Sequence, residues 1–217
     1  MTFGRLARLG TVLVLAAATT LATVAPASAH RRSEPAPPTG TASLATLLAA
    51  DGSGFDRNPR DFDILDNAVT AVLTAKPSSP VAVLADGNTA LTAFLPDDRA
   101  FRRLAYDLTG HRYRSEAQVF SVLATKLGVD TIESVLLYHV VPGATIGYRA
   151  ARAANGTVLT TALTGSSLTV KVYRCRFVSL VDADPDARNA FVVAPDLNAG
   201  NLQIAHGIDR VLRPVDL

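Results

Sequence analysis

Thr92-Ala93-Phe94-Leu95-Pro96-Asp97-Asp98-Arg99-Ala100-Phe101 reads as a strand, a stop and a capped helix in immediate succession. Thr92 and Phe94 share one face of the strand, because side chains alternate along extended backbone. Pro96 carries no amide hydrogen to continue a ladder. Asp97 offers a side-chain oxygen to the first free amides of the helix. Phe101 then begins an apolar stripe continued by Leu104, Ala105 and Leu108, and Gly110 closes it. Every one of these roles is structural.

Upstream of this segment the chain reads as helical. Ser43 is placed to cap a short helix through Ala50. Asn58-Pro59 offers a cap and a first-turn proline for a second helix, whose apolar face is Phe62, Leu65, Val69, Val72 and Leu73. Val81 to Leu84 and Ala90 to Leu95 read as two strands joined by the turn Asp86-Gly87-Asn88. Downstream, Ser115 with Gln118 forms a capping box for a helix that stops at Gly128. Asp130 with Glu133 starts another, carrying Ile132, Val135, Leu136 and His139. From residue 157 the period changes to two. Thr157 to Ala162, Ser167 to Tyr173, Phe177 to Val181, Phe191 to Ala194, Gln203 to Ala205 and Ile208 to Leu212 read as short strands. Helices first and strands later predict an α+β fold with segregated layers.

The ends and the charge bound the function. Arg5 and Arg8, the apolar run Thr11 to Ala25 and Ala27-Ser28-Ala29 read as a secretory signal peptide over 1–29, cleaved after Ala29. The run is short for a bilayer core, which needs about 20 residues, so no stable membrane insertion is expected after cleavage. Residues 30–40, with Pro35, Pro37 and Pro38, read as an extended linker. Residues 41–217 are left as one domain. Without Arg5 and Arg8 the basic residues balance the 19 acidic ones, and no basic run with interleaved aromatics is present. Nucleic acid is not an expected partner.

Cys175 is the only cysteine, so no disulfide within the chain is possible. Its parity with Tyr173 and Phe177 favours a buried strand position. If exposed, it would lie between two arginines that favour the thiolate, free to pair with a second chain. None of the four histidines has a partner at metal-ligand spacing. No nucleophile elbow, phosphate loop or dinucleotide fingerprint is present, and neither catalysis, a cofactor nor a metal is expected. Asp182, Asp184 and Asp186 alternate like calcium-loop ligands but lack the central glycine and final glutamate. They read as a solvated loop, as does the acidic stretch from Asp51 to Asp63.

Two further segments follow the first at long range. They are Leu137-Tyr138-His139-Val140-Val141-Pro142-Gly143 and His206-Gly207-Ile208-Asp209-Arg210-Val211-Leu212. Together the three resemble the two boxes and the central Tyr-His motif of the fasciclin domain family, over roughly residues 41–214. Small secreted single-domain proteins of bacteria are similar. The resemblance implies a fasciclin-like β-sandwich with helices packed along one side. It implies a structural motif of Thr92, Phe94, Pro96, Phe101, Pro142, Gly143, His206 and Asp209. It also implies adhesion to an unknown protein or cell-surface component, with Tyr138 and His139 as partner contacts. The residues themselves give Tyr138 and His139 a second reading, as a helix end whose last carbonyls His139 satisfies. Leu202-Gln203 stand where the family commonly has Asn-Gly, which predicts a shifted or bulged turn. Two alternatives stay open: an extracellular carrier of a small apolar ligand, and a matrix component that self-associates through Cys175.

Overall fold

The computed structural model describes Met1 and residues 38–217, apart from 51 and 53. The expected signal peptide and most of the linker lie outside the described residues.

Three strands far apart in sequence lie side by side. β1 (Leu91–Pro96) pairs antiparallel with β2 (Val140–Pro142), and parallel with the last strand, β7 (Gln203–Ile208). Phe94 sits opposite His206, and Thr92 opposite both Val141 and Ile204. The three motif segments are therefore neighbours at one end of the sheet. The rest follows as antiparallel neighbours of β7: β6 (Ala190–Leu197), β5 (Phe177–Val181), β4 (Ser167–Tyr173) and β3 (Val158–Thr160). The order is β2-β1-β7-β6-β5-β4-β3. The two outer ends of this sheet approach one another, and Ala162 N donates to Val140 O at 2.7 Å.

The helices are α1 (Leu44–Ala49), α2 (Asp63–Ala75), α3 (Asp98–Thr109), α4 (Glu116–Tyr138) and α5 (Tyr148–Ala153). The class is α+β, as the change of period predicts. Alternation along β1 splits the interior into two cores. Leu91, Ala93 and Leu95 join Leu44, Ile64, Val72, Leu104, Val119 and Val135 between the helices and the sheet. Phe94 joins Tyr138, Leu168, Val170, Leu180 and Leu212 inside the curve of the sheet. Each fully buried leucine contributes about 2 kcal/mol from burial alone.

Several local expectations hold. Ser43 caps α1, Asp97 caps α3 through the Ala100 amide (2.8 Å), and Ser115 with Gln118 caps α4. Gly128 breaks α4 with φ 72° and ψ 164°, a conformation open to glycine.

Others are corrected. α2 starts at Asp63, not at Asn58-Pro59, because residues 59–61 dock on α3 instead. Pro59 O accepts from Arg99 N and Asp61 O from Asp98 N, both at 3.1 Å. Its cap comes from another helix, with Asp98 Oδ1 accepting from Ile64 N (3.1 Å). Val81 to Leu84 is a 3-10 turn (Pro80–Ala85), started by Pro80 and by Ser79 Oγ accepting from Val81 N. Asp130 and Glu133 both face Lys76, as an ion-paired group linking α4 to the end of α2. Residues 203–208 form one strand, and residues 209–212 leave the sheet. α5 carries no signal noted in the sequence. Asp196 Oδ1 accepts from its Tyr148 N (2.7 Å) across 48 residues.

Candidate functional site

The Tyr-His motif is turned inward. Tyr138 is 0% and His139 4% exposed. His139 Nδ1 donates to Val135 O (2.7 Å), and its Nε2 accepts from Leu212 N (2.9 Å). One neutral ring thereby joins the end of α4 to the segment after β7. Burial pushes its pKa down to about 4, which keeps it uncharged. Tyr138 Oη donates to Ser167 O (3.0 Å), so the hydroxyl serves β4, and burial raises it to about 12. In this conformation neither side chain offers surface to a partner. The second reading of this segment, as a satisfied helix end, is the one its geometry matches.

The second box is equally occupied. His206 Nε2 donates to Ile146 O (2.8 Å) and Nδ1 accepts from Asp196 N (3.1 Å), the opposite tautomer to His139. Burial lowers its pKa too. Thr92 Oγ1 donates to Ala144 O and accepts from Ile146 N, at 2.7 and 2.8 Å. Asp209 accepts from Phe191 N (2.7 Å) and pairs with Arg103 (3.1 Å), not with its neighbour Arg210. Phe94 and Phe101 fill the two cores, Pro96 and Pro142 end their strands, and Gly143 (φ 79°) donates to Ala90 O. Register shifts fall along β6, between Val192 and Ala194 and between Ala194 and Leu197, and not at Leu202-Gln203, where the sequence predicts an irregular turn. Gln203 has a use that the sequence did not disclose. Its Oε1 accepts from Leu44 N, and its Nε2 donates to Val83 O and Asp86 O, each at 2.8 Å.

Two acidic groups are not solvated loops. Asp184 is buried, accepts from Asp186 N and Ala187 N, and pairs with Arg213 (3.1 Å). Asp61, Asp98 and Glu116 are buried together, with carboxylate oxygens within 4.8 Å of one another. Glu116 pairs with Arg102 (3.0 Å) and accepts from Asp56 N (2.8 Å). Burial, reinforced by the Glu116 and Asp61 charges, pushes Asp98 up to about 9, so it holds a proton at neutral pH. Here Asp98 plays a structural part, as the protonated cap of α2.

Exposed apolar side chains gather on the outer face of β4–β6. Tyr173 (38%), Phe177 (46%), Phe191 (38%) and Val193 (49%) are exposed there. Val178 and Leu180 point into the second core, so alternation turns Phe177 and Ser179 outward. Tyr173 and Phe191 lie 5.7 Å apart. Beside them opens a pocket of about 380 Å³ lined in part by Arg103, Arg188 and Arg210. Cys175 is exposed at the β4–β5 turn, not buried in a strand as expected, and Tyr173 and Phe177, whose parity it shares, are exposed as well. Arg174 (φ 51°) and Cys175 (φ 53°) are the two central residues of the turn closed by Arg176 N donating to Tyr173 O. A second, apolar cavity of about 130 Å³ lies between α5 and the inner sheet face, lined by Phe94, Val170, Leu180 and His206 among others. Among the described residues, no helix is long and apolar enough to cross a membrane.

The profile of the Fasciclin domain matches residues 66–214. A solved structure, a FAS1 domain pair from the insect cell adhesion molecule fasciclin I, is similar at 17% identity with a TM-score of 0.45. The match covers 67% of this chain and 44% of that one, so this chain spans less than half of the pair. No curated protein matches the chain.

Proposed function

The chain belongs to the fasciclin domain family, and on that premise we propose that it is a secreted binding module. It adheres to a cell surface or extracellular matrix by contact with another protein, and it performs no catalysis. The single sheet curving around the second core supports the sandwich-like arrangement of this reading. The observation that carries the proposal is the outer face of β4–β6. Exposed aromatic side chains rimmed by arginines are the composition of a protein-binding surface. The motif histidines, by contrast, are used up inside.

The test is capture of the purified chain by washed cells and extracellular material, beside a Tyr173→Ser/Phe191→Ser variant checked for folding by circular dichroism. Saturable capture, lost in the folded variant, supports the reading. Equal capture by both moves the contact off this face. The apolar cavity favours a second reading, a carrier of a small apolar ligand. Its size is near the roughly 150 Å³ of an engineered apolar cavity that binds benzene. Absence of capture, together with a small apolar molecule found by mass spectrometry in the purified chain, would favour the carrier.

A further inference from the structure

The pocket beside the outer face has more positive charge than its own residues neutralise. Three guanidinium groups line it, Arg103 from α3 and Arg188 and Arg210 from the segments flanking β6 and β7. Asp209 is the acidic residue in the lining, and it is already engaged by Arg103 and by the Phe191 amide. The nearby Asp107 pairs with Arg213. Among the described residues, no carboxylate lies within ion-pairing distance of Arg188 or Arg210. Burial, with the neighbouring Arg103 and Arg188 charges, lowers the pKa of Arg210 although Asp107 and Asp209 act in the other direction.

The pocket also holds a polar atom without a use. Ser179 is fully buried, and its Oγ has no hydrogen-bond partner. It lies in one cross-strand row between Lys171 and Phe191, and it lines the pocket with Tyr173 and Phe191. Two unpaired guanidinium groups and two exposed aromatic rings thus meet in one opening, above a buried hydroxyl that has no partner. Planar guanidinium groups match a carboxylate in two-point geometry, while the rings and Val193 next to them suit aliphatic side chains.

We propose that this pocket is where the partner protein is held, and that it recognises an acidic peptide segment. A side-chain carboxylate enters between Arg188 and Arg210, and adjacent aliphatic residues lie on Tyr173 and Phe191. The inference rests on the adhesion reading for its biological setting, but the chemistry can be tested apart from it.

The probe is a synthetic acetyl-Leu-Asp-Leu-Asp-Leu-amide, titrated into the chain while arginine side-chain resonances are followed by NMR. Saturable shifts at Arg188 and Arg210 are expected, and none with the matching lysine peptide. Arg188→Glu/Arg210→Glu should weaken the acidic peptide at least tenfold and gain affinity for the lysine peptide, a rescue that misfolding could not mimic. Arg149→Glu, an exposed arginine on α5, should change nothing. No saturable shift, or a shift insensitive to the double reversal, overturns the proposal. So does a response confined to a heparin oligosaccharide or to anionic phospholipid vesicles. If cells capture the Arg188→Glu/Arg210→Glu chain normally, the pocket is wrong and adhesion stands. If the peptide binds but no cell captures the chain, the pocket stands and adhesion fails.

Discussion

The Tyr138–His139 segment and the outer face of β4–β6 use similar side chains, aromatic rings beside nitrogen bases, and leave them in opposite states. Inside, each polar atom of the two motif side chains has a fixed partner: Val135 O, Leu212 N and Ser167 O. Outside, Arg188 and Arg210 have no carboxylate within ion-pairing distance among the described residues. The difference teaches where to look in this family. A motif that can be spotted in sequence can be the one consumed in holding the fold, and binding capacity is left with residues outside it.

The comparison breaks most sharply at His139. His139→Ala strips two buried backbone groups of their partner, each loss worth about 1–3 kcal/mol, and it opens a void. Chemical denaturation should show a loss of about 3 kcal/mol or more, with binding by any still-folded protein unchanged. A loss below about 1 kcal/mol would mean that the link is dispensable.

The inner region should also set the pH response. Asp98 keeps its proton in the fold until about pH 9, against an ordinary aspartate value of 3.8. Its contribution is complete below that lower value and disappears as pH rises through about 9. His139 runs the other way. Its folded value of about 4 lies below 6.5, so its contribution is present above 6.5 and lost as pH falls through about 4. Denaturation midpoints should therefore fall between about pH 7 and about pH 9 in the parent chain, and less so in Asp98→Asn. Equal slopes for the two proteins would remove Asp98 as the cause.

Tyr138→Phe removes one hydrogen bond and keeps the ring. It should cost about 1 kcal/mol by the same measurement. The β4–β5 turn tests the outer region from the other side. Non-glycine residues in the left-handed conformation cost roughly 1–2 kcal/mol each. Arg174→Asn/Cys175→Gly should raise stability by about 1 kcal/mol. The same change should abolish any reducible dimer on electrophoresis, since Cys175 is the exposed thiol. Smallest of all, Arg188→Glu/Arg210→Glu should leave stability within about 0.5 kcal/mol while removing peptide binding.

The sequence disclosed what neighbouring residues decide. Asp97, the Ser115–Gln118 box, the stop at Gly128 and the limits of β4 and β5 all depend on contacts a few residues apart. It concealed what distant residues decide. α2 begins where Asp98 can cap it, 34 residues away, so Asn58-Pro59 misled. The parity of Cys175 with Tyr173 and Phe177 predicts an inward position, but it lies in the turn between β4 and β5, and those two rings themselves face outward. Asp184 and Asp61 looked like solvent-facing acids because Arg213, and the α3 and α4 residues that enclose Asp61, are supplied from elsewhere. The outer site was illegible for the same reason. Its arginines come from three separate segments, and their lack of partners becomes visible only once the carboxylates nearby have been assigned to others.

The meeting of the sheet's two ends has a further consequence, for behaviour at high concentration. β2 and β3 are three residues each, and the Ala162–Val140 bond spans the gap between their ends. Little unpaired backbone is left to template a strand from a second molecule. Copies crowded together should stay free of cross-β aggregates. A variant that begins to form fibrils would report that this seam has opened, well before the rest of the molecule unfolds.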